Sequence, residues 1–264
     1  MIDAGIGANS ASDSRYGIDN SYKNESNNSE RMYRPWGASG GNSQTFTVSV
    51  WVKRTEINTQ QYIWGAGTDG NNFFLVSFES NNTLRVRSYV SGSDQSVYIT
   101  NRFFRDTAAW YHIVTAVDTT SGTAGDRLRI YINGVEETSF STETNFSQND
   151  STMHNANSSY MEIGTVIGEA NRFCGYISEV ISISGSQLAP TTFGKFDTAT
   201  GIWIPKEYTG SFPQNSVYLE FKDSSSLGTD TSGNSQTFTL QNLSAADQAT
   251  DTPTNNFATW LSDG

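Results

Sequence analysis

The sequence predicts an all-β fold, a sandwich or barrel of many short strands, and three observations carry that expectation. Ser, Thr and Asn make up about a third of the 264 residues while only 16% are charged, a composition of polar turns and wet sheet faces. The 6 Trp, 12 Tyr and 15 Phe are spread along the chain, which argues against disorder and suits pleated, half-buried surfaces. Apolar residues recur with a period of two, never convincingly with the helical period.

Taken in order, residues 1–28 are rich in Ser, Asn and Gly with little periodicity and are expected to form an N-terminal arm. In 46–52, Val48, Val50 and Val52 share one face and Ser49 and Trp51 the other, so apolar groups on both faces predict an inner strand. Further strands are expected at 61–65, 73–78, 84–90, 96–100, 110–117, 127–132, 161–164 and 176–183. In 84–90, Leu84 and Val86 face inward and Arg85 and Arg87 outward; Leu128, Ile130 and Ile132 alternate with Arg127 and Arg129 in the same way. Turns such as Asp69-Gly70, Asn81-Asn82, Ser91-Gly92 and Asn133-Gly134 tolerate positive φ and imply antiparallel hairpins. The polar stretch 139–159 reads as a long loop. After Ser186 the texture becomes irregular, with one clear strand at 217–221. The heptapeptide Gly41-Asn42-Ser43-Gln44-Thr45-Phe46-Thr47 recurs at 233–239, as either a truncated second module or an extra strand of the same sandwich.

The net charge of −11 and the absence of a dense Lys/Arg run exclude a nucleic-acid partner. No apolar run approaches the ~18 residues of a membrane span, so membrane insertion is not expected. Cys174 is the single cysteine, which rules out an intrachain disulfide or a Cys-based zinc site. The N-terminus lacks the basic and apolar regions of a secretory signal, so release by lysis or assembly is expected rather than ordinary secretion.

Four strings appear in order: 47–54 (Thr-Val-Ser-Val-Trp-Val-Lys-Arg), Trp110-Tyr111-His112-Ile113-Val114, Tyr131-Ile132-Asn133-Gly134-Val135 and Gly175-Tyr176-Ile177-Ser178-Glu179-Val180. Together they resemble the laminin G-like branch of the concanavalin A-like lectin/glucanase superfamily. That resemblance implies a two-sheet antiparallel jelly-roll sandwich over 29–188, followed by an irregular C-terminal extension, 189–264, that partly completes it. It also implies that Trp51, Trp110 and Tyr111 lie where the two sheets face each other. The strings Gly201-Ile202-Trp203-Ile204-Pro205, Tyr208-Thr209-Gly210 and Asp251-Thr252-Pro253-Thr254-Asn255-Asn256-Phe257 resemble tail-fibre-like virion proteins of marine bacteriophages. The implied role is a non-enzymatic component of the virion surface able to bind host glycans. Its partners would be other virion proteins, reached through residues 1–28, and it would be a homo-oligomer within that assembly. The early stop at Gly264 implies a compact appendage. A capsid decoration or cement protein is the alternative, and a polysaccharide-degrading enzyme a further one.

Family 16 glycoside hydrolases of this superfamily set two Glu and an Asp along one strand, and a retaining glycosidase needs carboxyl groups only about 5–5.5 Å apart. No such string occurs: Glu136 and Glu137 are adjacent, and Glu162 and Glu179 have no carboxylate two or four positions away. Of the two histidines, His112 lies in a Trp-Tyr-His strand landmark and reads as structural, and His154 lies in the long polar loop, so neither is assigned to a triad. No catalytic residue is therefore expected. For a glycan platform the sequence nominates Tyr62 and Trp64 beside Asn71 and Asn72. Relatives carrying Ca²⁺ at the sandwich rim imply a cation held by oxygen ligands, for which Asp118 with Asp126, and Asp230 with Asn234, are the candidates.

Overall fold

The computed structural model describes residues 16–25, 29–36, 41–167 and 171–256. Two antiparallel sheets stack as a jelly-roll sandwich. In spatial order the back sheet runs β10 (Val135–Glu136), β9 (Leu128–Ile132), β8 (Tyr111–Asp118), β3 (Thr45–Arg54), β13 (Gly175–Ser184), β1 (Ser21–Asn24) and β18 (Gln248–Ala249), with β16 (Val217–Leu219) also paired to β13. The front sheet runs β11 (Phe140–Thr144), β7 (Ser93–Thr100), β6 (Leu84–Val90), β5 (Asn72–Phe78), β4 (Gln61–Asp69), β12 (Tyr160–Ile163), β2 (Arg31–Pro35) and β17 (Thr239–Gln241). A separate hairpin joins β14 (Gly194–Phe196) to β15 (Trp203–Pro205). No helix among the described residues is long and apolar enough to cross a membrane.

Alternation explains the core. Phe46, Val48, Val50 and Val52 of β3 meet Trp64, Phe74, Val76 and Val86 of the front sheet in one buried cluster. Asn133 and Gly134, with φ of 49° and 80°, form the two-residue turn between β9 and β10, the left-handed pair such a hairpin requires.

The structure corrects three expectations. Residues 1–15 and 26–28 of the expected arm lie outside the described residues, but Ser21–Asn24 form β1, hydrogen-bonded between β13 and β18. Its polar residues hide its role: Ser21 and Asn24 are buried, the Ser21 hydroxyl donating to the Asp251 carbonyl. Within the expected loop 139–159, Phe140–Thr144 pair with β7 as an edge strand that is polar on both faces and so shows no period. Trp51 and Trp110 do not lie between the sheets. They sit on the outer face of the back sheet, packed with Ile18 and Trp203 in a second cluster. Only Tyr111 turns inward, against Phe104.

The extension is what covers that face. Phe193, with Tyr208, Phe212 and Tyr218, packs on Val114, Ile181 and Ile183, so the back sheet is buried on both sides. Trp203 is its principal anchor. The indole Nε1 donates to His112 Nδ1 at 3.0 Å, and the imidazole is stacked between Trp51 and Trp203. Because an indole N–H can only donate, Nδ1 must be the bare nitrogen and Nε2–H the donor to Ser49 Oγ at 2.8 Å. The repeated heptapeptide resolves as an added strand: Phe46 and Phe238 are buried in the same core, and the second copy leads into β17 beside β2.

Candidate functional site

With the back sheet sealed by the extension, the outer face of the front sheet is the one on which strand side chains remain open. In β2, Met32 and Arg34 point inward and are buried while Arg31 and Tyr33 point out. In β12, Met161 and Ile163 point inward and Tyr160 and Glu162 out, Glu162 being only 3% exposed beneath its neighbours. Register then sets Glu162 opposite Tyr33, Tyr160 opposite Pro35, and Gln241 of β17 opposite Arg31.

These side chains line a groove of about 250 Å³ together with Thr68 and Ile167. Arg31 Nη1 lies 2.7 Å from Glu162 Oε1, its Nε donates to Gln241 Oε1 at 2.9 Å, and its guanidinium stands 4.7 Å over the Tyr33 ring. Held three ways, this arginine is a fixed donor rather than a mobile surface cation. Tyr33 and Tyr160 meet at a ring separation of 6.3 Å with a tilt of 59°, and Tyr160 is 42% exposed. On the neighbouring strand Gly65 leaves room for Val166: a Cβ there would sit 2.6 Å from Val166 Cγ2. Val166 thus seats on the sheet and carries Ile167 to the groove's edge at φ 46°, a backbone conformation that a β-branched residue adopts only under constraint. Two phenol faces, a fixed guanidinium and a carboxylate acceptor can bind a ligand with both apolar faces and paired hydroxyls. Among the described residues, Glu162 is the one carboxylate that lines the groove.

The residues nominated from the sequence are not assembled into a platform. Trp64 is fully buried and stacked on Phe74 in the core, so it offers no surface. Tyr62 is half-buried at one end of β4, packed with Phe73, Leu75 and Val166. Asn71 and Asn72 lie at the other end: Asn72 is five residues along β5 from Ser77, the partner of Tyr62, on the order of 17 Å at about 3.3 Å per residue. There Asn72 Nδ2 donates to Asp69 and its Oδ1 accepts from Ser91 N, bracing two adjacent hairpins.

The calcium candidates do not fit a cation either. Asp230 Oδ1 accepts from the backbone N–H of Tyr218 and Ser232, and Oδ2 from Gln236 N and the Ser232 hydroxyl. Asn234 turns its amide donors toward the carbonyls of Phe212, Pro213 and Ser216, the wrong polarity for a ligand. Asp118 and Asp126 do share a cavity, but Arg129 lines it too, 2.6 Å from Asp126 Oδ1, so that carboxylate already has a guanidinium partner. Among the described residues no three His, Cys, Asp or Glu side chains converge on a metal position.

Of the titratable groups buried away from the groove, His112, His154 and Glu179 are held far from their ordinary protonation. His112 and His154 are inaccessible, and burial holds both imidazoles down at about 3; His154 pairs with Ser182 Oγ at 3.1 Å against Phe46. Glu179, on a bulge of β13 with φ 47°, accepts from Tyr16 Oη at 2.6 Å and Tyr218 Oη at 3.2 Å. Burial pushes its carboxyl up to about 8 despite those bonds. Sequence reading missed Arg31, Tyr33, Tyr160 and Glu162. The available signal was the outward half of the alternation in Arg-Met-Tyr-Arg-Pro and Tyr-Met-Glu-Ile.

A profile described as the concanavalin A-like lectin/glucanases superfamily matches residues 33–186. No curated protein matches the chain. A putative carbohydrate binding protein from Bacteroides ovatus aligns over 90% of this chain with a TM-score of 0.56 and 16% identity; the chain spans 62% of that protein's length. The heptameric SAP-like pentraxin from Limulus polyphemus aligns over 66% of this chain and 80% of its own, with a TM-score of 0.46 and 16% identity. Domains LG4-5 of the mouse laminin alpha1 chain align over 67% and 45%, with a TM-score of 0.45 and 10% identity. At such identities the likeness is one of fold.

Proposed function

The chain belongs to the concanavalin A-like lectin/glucanases superfamily, and from that premise we propose that it is a glycan-binding protein that does not turn its ligand over. The observation that carries this reading is the groove of Arg31, Tyr33, Tyr160 and Glu162 on the open face of the front sheet. A sugar ring has an apolar face that packs on an aromatic ring and vicinal hydroxyls that bridge a donor and an acceptor. Arg31 supplies the donors and Glu162 the acceptor, 2.7 Å apart. A single groove carboxylate among the described residues, where glycoside hydrolysis ordinarily needs two, and the burial of both histidines support binding without hydrolysis.

The proposed setting is the surface of a bacteriophage particle, as part of a homo-oligomeric appendage touching other virion proteins. Support comes from the tail-fibre-like strings of the extension, several of which pack against the back sheet and leave the groove clear. Antibody labelling of purified particles tests that setting, and particles that carry no label contradict it.

A glycan array tests the binding reading. Wild type should bind at least one glycan, with EDTA having no effect because no calcium ligand set converges among the described residues. Tyr160→Ala should weaken that binding about tenfold or more, a loss of about 1.4 kcal/mol or more, with the melting temperature lowered by only about a few degrees since Tyr160 is 42% exposed. Release of reducing sugar from the bound glycan would contradict the non-enzymatic reading.

A further inference from the structure

Resting on the glycan-binding reading, we infer that the groove recognises a single sugar residue at a chain end and not an internal stretch of polysaccharide. Its volume of about 250 Å³ lies below the roughly 300–1,000 Å³ of sites for larger organic ligands. Its two tyrosines do not make a strip. With rings tilted 59° at 6.3 Å, Tyr33 and Tyr160 form a corner, which holds one ring and cannot lie flat beneath consecutive sugars of an extended chain.

The polar groups are concentrated in the same corner. Arg31 is bound to both Glu162 and Gln241, so donors and acceptor serve one position. On the side toward β5 the groove ends in a wall, Ile167. Behind that wall Phe73, Leu75 and Val166 pack together at 8%, 2% and 2% exposure with Tyr62 and Tyr89 against them, so little of that surface is left open to seat a second sugar. An internal residue needs an exit at both ends, and the wall leaves one. Ile167 is held there although its φ of 46° suits glycine far better than isoleucine, and Gly65 is what admits Val166 beneath it.

Calorimetric titration decides the matter with methyl glycosides of glucose, galactose, mannose and N-acetylglucosamine, and with linear di- to hexasaccharides of each. For whichever sugar binds, the dissociation constant should change by less than about twofold from the methyl glycoside to the hexasaccharide. Where the array's hit ends in a sugar different from the one beneath it, removing that non-reducing terminal residue with an exoglycosidase should abolish binding. Ile167→Gly, which suits the positive φ and removes the wall, should make affinity rise with chain length. A wild-type affinity that tightens about tenfold or more with added sugars, or binding that survives removal of the terminal residue, overturns the chain-end inference and leaves the glycan reading intact. Failure of every glycan on the array and in the titrations overturns both.

Discussion

Trp203→Ala is expected to destabilise the fold by about 3–5 kcal/mol, the range for deleting a large buried aromatic. Trp203 is 7% exposed and does three things at once. It packs against Gly134 and Gly194 so closely that a Cβ at either would lie within 2.4 Å of the indole. It stacks on His112, and it satisfies His112 Nδ1, a buried acceptor that the truncation would leave bare. Denaturant unfolding should register the loss, and amide exchange should accelerate in β14 and β15 before it does in β3. A loss under about 1 kcal/mol with the hairpin still protected would show that the extension is held by something other than this anchor.

The second large effect is on the pH dependence of stability. His112 and His154 stay neutral in the fold down to about 3, whereas in the unfolded chain they gain protons below about 6.5. As pH falls from 6.5 to 3 the unfolded state therefore binds two more protons than the native state. Stability drops by about 1.4 kcal/mol per pH unit for each histidine. Glu179 acts with the opposite sign. Raised to about 8, it stays protonated in the fold while the unfolded carboxyl ionises above about 4.5, so its burial costs stability progressively as pH rises from 4.5 to 8. The three effects together place a maximum near pH 6.5. Glu179→Gln, which keeps an acceptor for Tyr16 and Tyr218, should gain on wild type by about 1.4 kcal/mol per pH unit across 4.5–8. Parallel stability curves for the two proteins over that window would refute a buried, protonated Glu179.

The parts of the fold legible in the sequence are those where one face is wet. β6 and β9 alternate apolar residues with arginines, and the Asn133-Gly134 turn announces itself. β1 was illegible because it buries Ser21 and Asn24 in the sheet, and β11 because both its faces are polar. Trp51 was readable as buried but not as covered by the extension, since the residue that covers it, Trp203, lies 152 positions later in an irregular segment.

The groove was illegible for a related reason. Tyr33 and Glu162 are cross-strand neighbours only through the pairing of β2 with β12, and nothing local at either position encodes a partner so far along the chain. Trp64 shows the converse error. It lies in the expected strand 61–65, whose composition does not say which face the indole takes, and in β4 it points inward.

The central claim is that the glycan site lies on the front sheet at Arg31, Tyr33, Tyr160 and Glu162. Nuclear magnetic resonance titration of the labelled protein with the best glycan from the array tests it most directly. Chemical-shift changes should concentrate on these four residues, on Thr68 and on Ile167, with Asp118, Asp126, Asp230 and Asn234 undisturbed. Shifts centred on those rim residues, with the groove silent, would contradict the account.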